Sequence, residues 1–275
     1  MKNAVLEMLR CPICKASVTA DETQRICRCR GQKTHSFDFS RSGYLNFGGA
    51  HAGEGDKKPA IMARRLFLDA GFYQPLAEEL DRILKQISAK RIVDAGCGEG
   101  YYTNSLAKER LLLGVDLSKD GVDYAARRAK QNNTGAGFAV ASVFDMPIAD
   151  SVADAVLNIF APCAEQEYAR VLKKYGYCIL VGAGKDHLMG LKRALYEDPY
   201  INPGREDLPK QMVLEKRTEL QYEIAVKSNE MIEALFSMTP YYWRTSREDR
   251  RKLESLNALT TEVHFDIFLF RKDTE

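Results

Sequence analysis

The stretch RIVDAGCGEGYYT, residues Arg91 to Thr103, has the composition of a strand, a glycine-rich turn and the start of a helix. Glycines at positions 96, 98 and 100 permit positive φ and leave no Cβ between the backbone and a ligand. The free amides at the helix start create a positive potential that suits a carboxylate or a phosphate. An apolar strand, Leu111 to Val115, follows and ends at Asp116, whose carboxylate can accept hydrogen bonds from ribose hydroxyls. The stretch therefore predicts a site for a cofactor that contains a nucleoside.

Two cofactor classes fit this outline. A nicotinamide dinucleotide site prefers GxGxxG, in which the third glycine allows the helix to pack close to the strand. Here the spacing is GxGxG, and Asp94 precedes the first glycine by two residues. This arrangement resembles the first motif of the class I S-adenosylmethionine methyltransferases. The resemblance implies cofactor contacts from Asp94, Gly96, Gly98, Glu99 and Gly100. A glycine-rich turn in an unrelated α/β protein is the alternative, so the context has to decide.

Strands and helices alternate regularly after position 90. Strands are predicted at 92–94, 111–116, 137–143, 154–160 and 177–181, which implies a parallel sheet with crossovers on both faces. Segments 217–226 and 262–271 alternate like an antiparallel closing pair, for seven strands in all. Ligands on such sheets lie beyond the carboxyl ends of the strands, where Asp116, Ser142 and Asn158 emerge. These polar residues at one edge strengthen the cofactor interpretation, although Ser142 stands where many methyltransferases carry an acid for the adenine amino group.

Length and composition favour one large domain with an appendage. The chain has 275 residues, 45% hydrophobic and 28% charged, which is enough to bury a full core. The net charge is only +2, so affinity for nucleic acid must come from local basic patches. No stretch has the apolar run of a signal peptide or a membrane span, and the cytoplasm is the expected location. In that compartment the seven cysteines are expected to serve metal binding, catalysis or burial.

Cysteines near the start have the spacing of a metal site. Cys11 and Cys14 form a CxxC pair, twelve residues separate Cys14 from Cys27, and His35 follows eight positions later. Two thiolates of a tight turn can face one ion, and a second pair completes a tetrahedral zinc site. We predict structural zinc at Cys11, Cys14, Cys27 and His35. Cys29 stays open as a replacement for Cys27, because either can be joined to His35 by a short loop.

The segment around the second half of this metal site is basic and aromatic. Between positions 25 and 41 five basic residues face only Asp38; they are Arg25, Arg28, Arg30, Lys33 and Arg41. Clustered basic side chains can neutralise phosphates, and we predict that this group contacts RNA. The interleaved Phe37 and Phe39 are expected to fill the core of the ribbon rather than to stack on bases.

Composition also divides the chain. Residues 48–59, GGAHAGEGDKKP, are rich in glycine and charge and are predicted to be a linker. Residues 1–47 would then form a zinc-binding, RNA-recognition module, and residues 60–275 the domain that binds the cofactor. Two amphipathic helices are predicted at 60–68 and 74–87. In methyltransferases helices at this place commonly cap the cofactor cleft, so Tyr73 is a candidate to close over the ligand.

Several blocks occur together in the order of the RlmA family, which the chain resembles over nearly its whole length. They are CPICK (11–15), HSFDFSRSGYLNF (35–47), ARRLFLDAGFYQPL (63–76), VDAGCGEGYYT (93–103), NIFAPC (158–163), HLMGLK (187–192) and SMTPYYWR (237–244). Members of that family methylate N1 of a guanine in a hairpin of large-subunit ribosomal RNA. The resemblance implies the four zinc ligands given above, and cofactor contacts from Tyr73, the glycine loop and His187. The chain departs from close relatives by carrying extra residues between Cys27 and His35.

The predicted fold class is therefore α/β, a class I (Rossmann-like) methyltransferase with a seven-stranded, mostly parallel sheet and a small N-terminal zinc ribbon. The predicted reaction transfers a methyl group from S-adenosylmethionine to N1 of a guanine in a hairpin loop of 23S ribosomal RNA. Guanine N1 carries a proton at neutral pH, so a general base or a group that favours the deprotonated ring is needed. Asn158, Asp145 and Glu165 are candidates for the base or for hydrogen bonding to the edge of the guanine. Cys163 is expected to be a packed cysteine, because N1 methylation needs no covalent adduct.

Other function classes stay open at this point. A methyltransferase for another RNA or a small molecule would share the cofactor half of the chain. A non-catalytic RNA-binding protein would keep the ribbon without needing the cleft, and a dehydrogenase would bind nicotinamide instead. The sequence does not decide which guanine of the hairpin is modified, or whether the protein is a monomer or a homodimer.

Overall fold

The structure is a computed structural model that describes residues 1–21, 25–48 and 55–273 of the chain. Its strands are β1 (Val18–Asp21), β2 (Ile26–Cys29), β3 (Ser36–Asp38), β4 (Leu45–Asn46), β5 (Arg91–Ala95), β6 (Leu111–Asp116), β7 (Gly137–Val140), β8 (Ala153–Ile159), β9 (Leu172–Ala183), β10 (Val213–Val226) and β11 (Leu259–Arg271). Its helices are α1 (Asn3–Leu6), α2 (Lys58–Asp69), α3 (Gln74–Gln86), α4 (Tyr101–Leu106), α5 (Lys119–Gln131), α6 (Glu165–Val171), α7 (Met189–Leu195), α8 (Asn229–Ser237) and α9 (Arg247–Glu254).

The main sheet has eight strands in the order β10-β11-β9-β8-β5-β6-β7-β4. Neighbours from β4 to β9 pair in parallel, and β11 pairs antiparallel with both β9 and β10. The seven predicted strands and their antiparallel closing pair are confirmed. The eighth strand, β4, was not predicted, and it is a two-residue segment from the N-terminal part of the chain.

Apolar runs place the central strands inside the protein. β8 is buried along nearly its whole length, as expected for a parallel strand covered by helices on both faces. On one face, α3 presents Leu76, Leu80 and Leu84 at helical spacing to the core. A second core cluster forms on the opposite face, where Tyr168 of α6 is buried. The main sheet is therefore a middle layer with a hydrophobic core on each of its two faces.

The N-terminal ribbon, β1 to β3, is a small antiparallel sheet joined to the main sheet through a shared core. Leu9 forms an isolated bridge with Ile148, and the Arg10 amide donates to the Pro147 carbonyl at 2.9 Å. β4 pairs with β7, so residues before position 47 also extend the main sheet. The boundary at residue 47 stays a prediction, because packing is continuous across it.

The predicted linker at 48–59 is described only at its ends. Residues 49–54 lie outside the described part of the chain, and Lys58 and Pro59 already belong to α2. Gly55 and Asp56 run across the start of α5, where the Ser118 hydroxyl donates to the Asp56 carbonyl at 2.6 Å. The end of the linker is thus held against the cofactor half of the protein. No helix in the three described ranges has the length and apolar character needed to cross a membrane.

Gly100 is required by close packing at the start of α4. Its φ is +73°, and a Cβ at this position would lie 2.5 Å from the Ala125 Cβ and 3.0 Å from the Phe138 ring. Both neighbours are buried in the core. The helix therefore starts where only glycine fits.

We expect Gly100→Ala to lower the free energy of unfolding by about 2 to 4 kcal/mol, from left-handed backbone strain and overpacking together. Urea denaturation followed by circular dichroism would measure the change. Gly204→Ala is the control, because a Cβ at Gly204 meets open space and its φ is not left-handed. Equal stability of the two variants would contradict the packing argument.

Candidate functional site

The glycine-rich turn between β5 and α4 is tied to the turn after β6 by one carboxylate. Gly96 and Gly98 both have left-handed φ, +86° and +52°. The Gly98 amide donates to Asp116 Oδ2 at 2.9 Å, and the Ser118 amide donates to Asp116 Oδ1 at 2.7 Å. Each carboxylate oxygen keeps a further lone pair, so Asp116 can still accept hydrogen bonds from ribose hydroxyls.

Buried carboxylates surround this turn. Burial raises the pKa of Asp94 to about 7, although the Thr103 hydroxyl donates to its Oδ2 at 2.5 Å. Burial also raises the pKa of Glu99 and of Asp116. Arg64 partly offsets the rise in the pKa of Glu99, because Arg64 Nη1 lies 3.4 Å from Glu99 Oε2. Asp94 has no cationic partner within the described residues.

The carboxyl groups of this turn suit a cationic cofactor. S-adenosylmethionine carries a sulfonium and an ammonium group, and either would favour the charged form of a nearby buried carboxylate. The residues present therefore fit S-adenosylmethionine.

Arg64 is a member of the site that the sequence did not single out. Its guanidinium pairs with Asp56 as well as with Glu99, and it lies 3.3 Å from the position of a Cβ on Gly98. The helical spacing of Ile61, Arg64 and Leu68 was the available signal, because it puts an arginine on a largely apolar face. Helix α2 thus places the Arg64 guanidinium over the cofactor turn.

Tyr73 and His187 meet in the buried interior beside the cleft. The Tyr73 hydroxyl lies 3.3 Å from His187 Nε2, and both side chains are buried. The His264 amide donates to His187 Nδ1 at 3.2 Å, so the neutral ring carries its proton on Nε2 and donates to Tyr73. Burial lowers the pKa of His187 to about 3, which keeps the ring neutral. The side chains of Tyr73 and His187 therefore contact each other directly. Their predicted contact with the cofactor stays a prediction.

The prediction that Asn158 lies at the cleft rim is wrong, because its side chain lies inside the protein. Its side chain is fully buried, and its Nδ2 donates to the Pro162 carbonyl at 2.9 Å and lies 2.6 Å from the Tyr168 hydroxyl. The reason is the alternation of β8, which turns Asn158 toward α6. Its role is to hold the turn after β8, and the contacts of Asn158 argue against a catalytic base.

The other predicted polar residues are engaged by protein groups. Asp145 pairs with Lys15 of the ribbon at 3.2 Å, on the surface. Glu165 accepts a hydrogen bond from the Gln211 amide, and the Ser142 hydroxyl accepts one from the Phe144 amide at 3.2 Å. Cys163 is partly buried, and burial raises the pKa of its thiol to about 11, which disfavours a nucleophilic thiolate. None of these contacts assigns a general base.

Four metal-ligating side chains converge at the ribbon. They are Cys11, Cys14, Cys29 and His35, and their ligand atoms all lie within 4.8 Å of one another. The Cys14 and Cys29 sulfurs are 3.5 Å apart, and Cys29 Sγ is 3.4 Å from His35 Nδ1. Ligands of a tetrahedral zinc ion are separated by about 3.3 to 3.8 Å, so the set fits zinc.

The prediction of Cys27 as the third ligand is wrong, and Cys29 takes its place. Both cysteines lie on β2, but Cys27 is two residues earlier and about 7 Å farther along the strand. The His35 amide donates to Cys29 Sγ at 3.1 Å and lowers the pKa of that thiol to about 6. Burial raises the pKa of Cys27 to about 11, so its thiol stays protonated. Strand position and thiol ionisation both favour Cys29.

The predicted RNA-binding residues divide into two groups. Arg25 donates to the Ser40 carbonyl, and Arg28 lies 3.8 Å from Asp21. Arg30, Lys33 and Arg41 are exposed, and the described residues offer them no ion-pair partner. Phe37 and Phe39 pack against the core, as expected. Of the five predicted RNA-binding residues, these three are therefore the ones whose charge is available to a ligand.

The fold, the glycine-rich turn between β5 and α4 and the four metal-ligating side chains together define a class I S-adenosylmethionine-dependent methyltransferase with an N-terminal zinc ribbon. Residues 9–47 match the family model described as RlmA, N-terminal, and residues 92–176 match a methyltransferase domain model. The chain belongs to the RlmA family of 23S rRNA (guanine-N1)-methyltransferases.

Two relatives and one solved structure match most of the chain. A putative 23S rRNA (guanine-N1)-methyltransferase of Bacillus subtilis strain 168 is 32% identical over 290 residues, covering 99% of this chain and 100% of its own. The 23S rRNA (guanine(748)-N1)-methyltransferase of Streptomyces fradiae is 34% identical, over 71% of this chain and 70% of its own. The crystal structure of the YcgJ protein of Bacillus subtilis shares the fold, with a TM-score of 0.50 at 15% identity, over 72% of this chain and 99% of its own.

For the metal site, we expect Cys29→Ala to lose bound zinc and Cys27→Ala to keep it. The first change removes a ligand, whereas the second only shortens a buried side chain outside the group. Zinc content per protein, measured by atomic emission on the purified variants, distinguishes the two. Loss of zinc from Cys27→Ala with retention in Cys29→Ala would restore the original assignment.

For the cofactor site, we expect Asp116→Asn to weaken S-adenosylmethionine binding by about 10-fold or more. The asparagine keeps one acceptor but loses a charged hydrogen bond worth about 1.5 to 3 kcal/mol. Titration calorimetry would measure the dissociation constant. Asp120→Asn, an exposed change four residues later, is the control and should bind as the wild type does. Unchanged affinity in Asp116→Asn would refute the ribose role.

Proposed function

We propose that this protein transfers a methyl group from S-adenosylmethionine to N1 of a guanine in a hairpin loop of 23S ribosomal RNA. The observation that carries the proposal is that the sheet with the cofactor turn shares a hydrophobic core with the N-terminal part of the chain, where Arg30, Lys33 and Arg41 are exposed and have no ion-pair partner among the described residues. The names of the relatives from Bacillus subtilis and Streptomyces fradiae support this substrate.

The cofactor would lie against the turn between β5 and α4. Asp116 would accept hydrogen bonds from the ribose, and the Gly98 amide holds its carboxylate in place. Asp94 and Glu99 supply the negative potential that attracts a cationic ligand. When bound, S-adenosylmethionine supplies a methyl group already activated by its sulfonium. The main task of the protein is then to orient the two reactants.

The proton on guanine N1 must leave during the reaction. His187 is a poor acceptor for it, because its Nδ1 already accepts from the His264 amide and its pKa is lowered to about 3 by burial. Asp145 and Glu165 stay candidates, and each would have to release its present partner, Lys15 or the Gln211 amide. Either carboxylate could also act through one water.

RNA would approach from the ribbon side. Arg30, Lys33 and Arg41 are exposed and available to phosphates. The target base must be unpaired, because N1 lies on the Watson–Crick edge, and a hairpin loop exposes such a base. We locate this reaction in the cytoplasm, where ribosomal RNA is found.

The direct test is methylation of unmodified 23S rRNA transcribed in vitro, with labelled S-adenosylmethionine. We expect label in the RNA and a primer-extension stop at one guanine, because a methyl group on N1 blocks base pairing. The control transcript carries adenine at that position and should take up no label there. No incorporation into RNA, together with intact cofactor binding, would favour a small-molecule methyltransferase.

A further inference from the structure

The turn that follows β8 carries an aromatic side chain in an unusual position. Residues Phe160 to Cys163, here called the FAPC turn, leave the carboxyl end of β8 beside the cofactor turn. Phe160 is 49% exposed, although Ile159 before it and most of β8 are buried. A large aromatic ring at this edge is available to a ligand in the cleft.

The backbone of Phe160 is in the left-handed region, with a φ of +57°. Bulky residues rarely adopt this conformation, and it persists only where the surroundings fix it. Each residue of the FAPC turn is fixed by a hydrogen bond to another part of the protein. These bonds join the Phe160 amide to the Val181 carbonyl (3.2 Å), Arg205 Nη2 to the Ala161 carbonyl (2.8 Å), Asn158 Nδ2 to the Pro162 carbonyl (2.9 Å) and the Cys163 amide to Asp207 Oδ2 (2.9 Å). The turn is thus built to hold one ring in one place.

The FAPC turn packs directly against the cofactor turn. Ala161 packs on the cofactor turn so closely that a Cβ on Gly96 would lie 2.4 Å from the Ala161 Cβ. On its inner side the Phe160 ring is supported by buried rings, 5.7 Å from Phe265 and 6.2 Å from His187 between centroids. The rest of the Phe160 side chain is exposed to solvent. A planar group lying there would be next to the cofactor.

We propose that Phe160 is the stacking platform for the target guanine once that base has left its helical stack. The inference rests on the proposed function, since it names the residue that receives the base. An unpaired base placed in the cleft loses the stacking of its neighbours, and an aromatic face replaces it. Stacking also fixes the plane of the base, which orients N1 relative to the methyl donor. The FAPC turn holds the ring in place before the RNA arrives.

The test compares Phe160→Gly with Phe160→Tyr in methyl transfer to unmodified 23S rRNA transcribed in vitro. Glycine accepts the left-handed backbone without strain, so the variant is expected to fold. We expect kcat/KM for RNA to fall about 5- to 150-fold in Phe160→Gly, which corresponds to about 1 to 3 kcal/mol for stacking one base. Phe160→Tyr should restore most of it. The affinity for S-adenosylmethionine, measured by calorimetry, should not change in either variant.

Tyr175→Gly is the matched control, because Tyr175 is also an exposed aromatic with left-handed backbone (54% exposed, φ +62°) but lies near the amino end of β9, at the opposite edge of the sheet. It should leave methyl transfer unchanged. Wild-type kcat/KM in Phe160→Gly would overturn the inference, and so would a matching loss of cofactor affinity, which would make Phe160 a cofactor residue. Failure of the wild-type protein to methylate RNA would instead refute the proposed function.

Discussion

Buried negative charge is the constraint on which the rest of the site depends. Asp94, Glu99 and Asp116 crowd one turn of backbone, and burial raises the pKa of each. Three hydrogen bonds stabilise Asp94 and Asp116. The Thr103 hydroxyl donates to Asp94, and the amides of Gly98 and Ser118 donate to Asp116. Arg64 adds one cation from α2, which must dock over the turn to deliver it. The turn therefore suits a cofactor that carries cationic groups, as S-adenosylmethionine does.

A second feature is that the ribbon and the sheet share one hydrophobic core. Met8 and Leu9 pack in the same cluster as Val115 and Met146, and β4 extends the sheet beside β7. The Lys15 to Asp145 ion pair is exposed and contributes little by itself, so the apolar contacts carry the attachment. A ribbon fixed in this way has one orientation relative to the cofactor turn.

Two residues with strained backbone, Phe160 and Leu188, lie close to His187 at the carboxyl edge of the sheet. Phe160 and Leu188 both have left-handed φ, although neither is glycine or asparagine. Leu188 is held by its amide, which donates to the Glu262 carbonyl at 2.7 Å, and Phe160 by the FAPC turn. Such conformations are kept where geometry matters more than local energy. Asn158, a candidate site residue in the sequence, and Arg205 both hold the FAPC turn through hydrogen bonds to its carbonyl groups.

Much of this protein is determined by its sequence alone. Glycine spacing, alternation of strands and helices, and the CxxC pair predict the methyltransferase sheet, the cofactor turn and the zinc ribbon, because each follows from local backbone chemistry. The family resemblance adds Tyr73 and His187 as expected cofactor contacts. Tertiary structure decides the rest, because it depends on side-chain direction and on distance along a strand. It selects Cys29 over Cys27 through the position of the strand end, turns Asn158 into the interior, and brings Arg64 over a turn more than thirty residues away. Those choices are made by packing between distant segments, and no local pattern records them.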